Sequence, residues 1–174
     1  MTKPLGTGTI CAGIKREELK DAEFAEALSS MKRLNNITDY LSIQEKAAIH
    51  GATDVTGFGL AGHSYQVAKA SKVTLVIELN KLPLFALTRS CLEKGWLTKA
   101  HRSNEEYTQD KIQYTSSDMI LKLATFDPQT SGGLLLSVDS ALARQIVKSL
   151  GANFPGTAII GKVGERKDFD VIME

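Results

Sequence analysis

The sequence predicts an α/β (α+β) fold, a mixed β-sheet flanked by helices. Three observations predict it. Residues 73–79 (VTLVIEL) are dense in β-branched side chains and give the strongest strand signal in the chain. Residues 134–138 (LLLSV) give a second, and after residue 72 strand patterns alternate with helical ones. With 174 residues, 43% of them hydrophobic, the chain is long enough to bury roughly 70% of its unfolded surface without a disulfide or metal.

The elements follow in order. Residues 2–14, rich in Gly and Thr with Pro4 among them, read as an extended strand bent at Gly6 and Gly8. A charged helix start at 15–23 leads into Phe24, Leu28 and Met31 at helical spacing, until Asn35-Asn36 breaks the pattern. A second helix is expected from Thr38, with Tyr40, Leu41, Gln44 and Ala48 on one face. Residues 51–62 hold four glycines and read as a loop-to-helix junction, continued as helix through 65–70. Pro83 opens a helix through Leu84, Leu87 and Leu92, with Gly95 as its stop. Residues 96–117 are polar and nearly aperiodic, and read as a long surface loop. An apolar stretch at 119–126 then leads through DPQTSGG to the strand at 134–138. A helix over 141–150 ends at Gly151, and strands at 157–163 and 169–173 close the chain. No Ser- or Pro-rich linker interrupts it, so residues 1–174 read as a single domain.

Charge is nearly balanced, 21 Lys and Arg against 20 Asp and Glu. No whole-protein field is available to hold a nucleic-acid backbone or an anionic membrane, so neither is an expected partner. Cys11 and Cys91 lie far apart without metal-ligand spacing, which points to a reducing, cytoplasmic setting. No apolar run approaches the roughly 18 residues of a membrane span.

The segment HGATDVTGFGLAGH (50–63) is the most informative stretch. Interior glycines cost a helix about 1 kcal/mol each relative to Ala, so they serve something other than helix stability. Gly57 and Gly59 straddle Phe58 where backbone could approach a ligand or a neighbouring element closely. Thr56 is an N-cap candidate, and a helix start with free N–H groups can receive an anion. Asp54 reads either as a capping or Asx-turn acceptor or as a hard oxygen ligand for Mg²⁺. Spacing alone leaves both open, because a GxG pair is neither a dinucleotide nor a P-loop fingerprint.

TDVTGFGLAGH resembles the hallmark TD[VI]TGFGLLGH motif of the selenide, water dikinase (selenophosphate synthetase) family. TKPLGTGTI (2–10) resembles that family's LTKPLGTGI strand, and DPQTSGGLLLSV (127–138) its DPQTSGGLLIAV turn and strand. The three strings occur in family order and spread over most of the chain. Aminoimidazole ribonucleotide synthetase and thiamine monophosphate kinase share the fold but not the three strings together. The resemblance implies a fold like the C-terminal domain of aminoimidazole ribonucleotide synthetase, with residues 1–14 as the linking strand.

It also implies ATP-dependent conversion of selenide and water to selenophosphate, AMP and phosphate. Asp54 falls on the motif aspartate that helps bind Mg²⁺ beside ATP, and Thr56, Gly57 and Gly59 on the loop beside the nucleotide. The family's catalytic Cys or selenocysteine, its Lys and its further metal aspartates belong to an N-terminal half that these residues do not match. Cys11 lies in the strand motif and carries no catalytic role. The resemblance therefore implies a C-terminal half, inactive alone and binding neither Mg²⁺ nor ATP tightly. Since the family's homodimer is built mainly by the other half, the isolated chain is expected to be monomeric or only weakly associated. A stand-alone binding domain, or the same half of another enzyme of the superfamily, is the alternative.

DPQTSGG is read as a tight turn rather than a phosphate nest, because no lysine accompanies it. His63, on the Leu60 and Val67 side of its helix, reads as a satisfied core residue, and Cys91 beside Leu87 as a buried thiol. KAHRSN (99–104) reads as solvated loop.

Overall fold

The computed structural model describes residues 1–174, the side chain of Asp21 excepted. Helices α1 (Thr7–Lys15) and α2 (Asp21–Lys32) come first, then a 3₁₀ turn at Ile37–Tyr40 and α3 (Ile43–Ala47). Strand β1 (Ile49–Asp54) feeds α4 (Gly59–Ser71), which feeds β2 (Thr74–Ile77). Then come α5 (Thr88–Glu93), α6 (Lys99–Thr108), β3 (Ile112–Tyr114), α7 (Met119–Phe126) and β4 (Leu134–Val138). Helix α8 (Ala143–Gly151), β5 (Gly161–Gly164) and β6 (Val171–Met173) complete the order.

The sheet is mixed, as expected, but stands in two pieces. Four strands run in the order β3-β6-β2-β5, with β6 parallel to both β2 and β3 and β5 antiparallel to β2. Strand β2 is buried at all four positions, the signature of a central strand covered on both faces. The other piece is an antiparallel ribbon of β1 and β4, in register Thr53↔Leu135 and Asp54↔Leu134. Side chains on β4 alternate between two cores. Leu135 packs on the core of α4, β2 and β6, built around Leu60, Ile77, Phe126 and Met173. Leu134, Leu136 and Val138 pack on the α8 core of Ile146, Leu150 and Phe154. A third core under α1 and α5 joins Ile10, Phe85, Trp96 and the fully buried Cys91, whose thiol burial pushes upward.

Several expectations are corrected. Residues 2–14 are not a strand: Leu5 makes one bridge, to Leu84, and α1 follows at once. The region 96–117 is not a loop but α6 and β3. The buried residues of α6 are His101, Asn104 and Thr108, so an inward stripe exists at helical spacing without an apolar residue to betray it. The helix expected from Thr38 is split in two, because Ser42 caps α3 in a box with Glu45. The helix expected from Pro83 begins only at Thr88, although Gly95 does stop it with φ of 69°. The closing strands form with shorter bounds than expected.

The α-amino group of Met1 is buried and donates to Ala158 O at 2.8 Å. Burial pushes it down from its ordinary 8.0 to about 6. The unfolded chain then binds more protons than the folded one between these values, so stability must rise with pH across that window. Urea unfolding should show the 174-residue chain losing on the order of 2 kcal/mol between pH 8 and pH 6. N-terminal acetylation should flatten that dependence, and a dependence that survives acetylation would assign it to another group.

Candidate functional site

The three motif segments, far apart in sequence, meet at one buried junction. Its centre is Asp127, which is fully buried. Its carboxylate accepts hydrogen bonds from the backbone N–H groups of Gly8 (3.0 Å) and Thr9 (2.7 Å) and from Gln129 Nε2 (2.7 Å). Gln129 Oε1 accepts from the N–H groups of Gly6 (3.2 Å) and Thr7 (3.3 Å) and from Thr7 Oγ1 (3.2 Å). Two side chains of the turn thus satisfy the amides that a helix start leaves without intrahelical partners, and the carboxylate sits at the positive end of α1. His101 Nε2 lies 3.2 Å from Asp127 Oδ1, within ion-pair reach but outside hydrogen-bond geometry.

The same turn grips the glycine-rich segment. Gln129 N–H donates to Thr56 O at 3.0 Å, and Val55 N–H to Gly133 O at 2.8 Å. A Cβ on Gly132 would stand 2.0 Å from Val55 O, so the backbones touch where only glycine fits. Gly59, at φ of 66°, would drive a Cβ to 2.6 Å from Thr125 O. Within DPQTSGG the Asp127 and Gln129 side chains and the carbonyls of Ser131, Gly132 and Gly133 are engaged in internal bonds. A lysine does accompany it, contrary to expectation, but from far away in sequence. Lys3 Nζ donates to Ser131 O (2.9 Å) and Arg33 O (2.7 Å), and burial, then the Arg33 charge, push that lysine down.

What the junction presents to solvent is the end of β1 and the loop after it. Asp54 is exposed at the last position of β1, opposite Leu134. Gly57 is exposed too, and a Cβ there would meet nothing within 4 Å. Its carbonyl accepts from Asn104 Nδ2 at 2.9 Å, and the same amide group donates to Phe126 O at 2.9 Å. Thr56 is half-buried, and its Oγ1 lies 3.1 Å from His63 Nε2. Burial pushes His63 down, while the charge of Asp54 pulls it partly back. The N-cap of α4 is Phe58, with no side-chain cap bond, so neither Thr56 nor Asp54 caps this helix as the sequence suggested.

The structure thus gathers Asp54, Thr56 and Gly57 on one open edge, while Gly59 serves the packing beneath. Sequence reasoning missed His63 and Asn104 as supports of this edge. The seven-residue interval between Thr56 and His63 was the available signal for the first. The second was hidden inside an apparent loop. Among the described residues no group of three or more His, Cys, Asp or Glu is gathered to hold a metal ion. Asp54 stands as one oxygen donor.

Fold and junction define a mixed-sheet domain in which a buried Asp-Gln turn shapes a glycine-rich edge. The chain belongs to the family of AIR synthase related proteins, C-terminal domain, whose profile matches residues 1–174. It is 50% identical over 174 residues to a selenide, water dikinase of Bdellovibrio bacteriovorus, covering 100% of this chain and 50% of that protein. A selenide, water dikinase of Nitrosomonas eutropha is 49% identical, again over 100% of this chain and 50% of that protein. The chain spans about half the length of the curated relatives it matches. Among solved structures, the hydrogenase maturation protein HypE in complex with ATP superposes with a TM-score of 0.66 at 18% identity. The match covers 99% of this chain and 45% of that one. Thiamine-monophosphate kinase of Stenotrophomonas maltophilia gives 0.57 at 18% identity, over 99% and 48%. At these identities the two structures report the shared fold. Among the described residues no helix is long and apolar enough to cross a membrane.

The two kinds of glycine should separate on substitution. Gly57→Ala and Asp54→Asn should change stability by no more than about 0.5 kcal/mol in urea unfolding. Gly132→Ala should cost about 3 kcal/mol or prevent folding, because Val55 O cannot yield without breaking the junction. A destabilising Asp54→Asn would show that this carboxylate is structural.

Proposed function

We propose that this chain is the C-terminal half of an ATP-dependent selenophosphate synthetase, monomeric and without turnover when alone. One observation carries the reading: the motif aspartate, Asp54, is exposed beside an open Gly57, in a chain half identical to selenide, water dikinases. Phosphoryl transfer depends mostly on positioning and on metal ions that neutralise phosphate charge. Mg²⁺ takes one or two protein carboxylates, several waters and substrate phosphates, and a single exposed aspartate fits one place in such a set. Asp54 would supply that oxygen, and the other ligands would come from the N-terminal half and the ATP phosphates. Thr56 and Gly57 would border the phosphates, with Gly57 leaving room for their approach. Gly59 would hold the loop down on Thr125. The solved complex of HypE with ATP supports a nucleotide role for this fold.

The test is reconstitution. The 174-residue chain is mixed with the separately produced N-terminal half of the Bdellovibrio bacteriovorus enzyme, and selenide-dependent AMP release is measured. AMP should form only in the mixture. Asp54→Asn should cut it by about a hundredfold or more, given that even outer-shell partners of a metal are worth 10–100-fold. AMP formation by the chain alone, or a normal rate with the Asn variant, would overturn the reading.

A further inference from the structure

A cleft of about 620 Å³ separates β4 from β5. Its two long walls are strand edges. Strand β4 pairs with β1 along one edge and β5 with β2 along one edge, and among the described residues no strand pairs with either along the other. Residues 1–3 stand at one end and already bridge the gap. Thr2 N–H donates to Leu134 O at 3.0 Å, and Lys3 N lies against Gly133, so this segment runs antiparallel to β4. On the opposite side Met1 and Ala158 exchange two backbone hydrogen bonds, of 2.8 and 2.9 Å, the pattern of an antiparallel pair. Backbone groups alternate in direction along a strand, so Leu136 and Val138 aim theirs the same way as Leu134, into the cleft.

The remaining walls are apolar. Val67, Leu75 and Ile77 line one side, and Ile146, Val147 and Leu150 of α8 line the other. Every residue of β4 is only half-buried despite the sequence LLLSV, and Ile159 and Val163 are 42% and 49% exposed. An unpaired apolar edge of this kind is a template for another strand.

We infer that the cleft is a strand-acceptor slot, which takes an extended segment antiparallel to both β4 and β5 and joins the ribbon and the sheet into one. Because helices cover both faces, the incoming strand is a continuous apolar run rather than an alternating one. Its occupant is the segment that directly precedes the equivalent of residue 1 in the longer relatives. Those relatives are twice the length of this chain and match it in their C-terminal half. A strand entering there continues the path of Met1 and Thr2 without a turn. The inference rests on edge geometry and does not depend on the proposed chemistry.

The test extends the 174-residue chain at its N-terminus by about eight residues, an ordinary strand length. These are the residues preceding the matched stretch in the Bdellovibrio bacteriovorus enzyme. A control carries the same extension with Pro at alternate positions, which removes the ladder donors. With the native extension, amide exchange at Leu136 and Val138 should slow by about tenfold or more, and Tm should rise. The Pro control should show neither change. An extension that leaves these amides unprotected, or a Pro control that protects them equally, would overturn the inference. So would a dimer, seen by light scattering, that shields the same amides in both the native and the extended chain, since a second copy would then be the occupant.

Discussion

A carboxylate taken wholly out of water is costly unless hydrogen bonds replace its hydration, and Asp127 is such a carboxylate. Its replacements are the first amides of α1 and the amide group of Gln129, all supplied by the chain itself. The exchange works in both directions. Without the turn, α1 would begin with unsatisfied N–H groups inside the protein, and without α1 the buried carboxylate would keep Gln129 Nε2 as its one hydrogen-bond donor among those named. That mutual requirement fixes where the N-terminal segment lies. It also fixes the turn from which β4 departs, and through Gln129 and Gly133 it fixes the path of residues 55 and 56.

The open edge at Asp54 depends on this junction without belonging to it. Gly132 and Gly59 press the glycine-rich segment down, Asn104 holds the Gly57 carbonyl, and His63 steadies Thr56. Buried, bonded groups thus define the backbone beneath, while Asp54 and Gly57 face water. A site that positions phosphates needs that division, because rigid support places the donors and open space admits the ligand. The cleft between β4 and β5 is of a different kind. It is apolar and runs along the edges of β4 and β5 that face away from β1 and β2.

Strands β2 and β4 were legible in the sequence because their burial is written in side chains, in VTLVIEL and LLLSV. Helix α6 was not, since it buries His101, Asn104 and Thr108, and a polar stripe carries no hydrophobic period. Helix α1 was misread as a strand because its glycines and threonines argue against helix locally. The groups that rescue it lie 118 and more positions away in sequence. At the site, composition and spacing left Asp54 undecided between cap and ligand. The family resemblance singled it out, and the structure removes the cap by giving that place to Phe58. His63 was read as a satisfied core histidine, and it is buried and bonded, but its partner is Thr56 of the candidate edge.

The central claim is that the Asp127–Gln129 turn and the start of α1 stand or fall together with the whole fold. Native-state hydrogen exchange at the Gly8 and Thr9 amides tests it most directly, because these donors bond to Asp127 rather than to their own helix. If the claim is right, both amides exchange only through global unfolding, with the same opening free energy as amides of the fully buried strand β2. Exchange of Gly8 and Thr9 at low denaturant, by local opening while β2 stays protected, would contradict it.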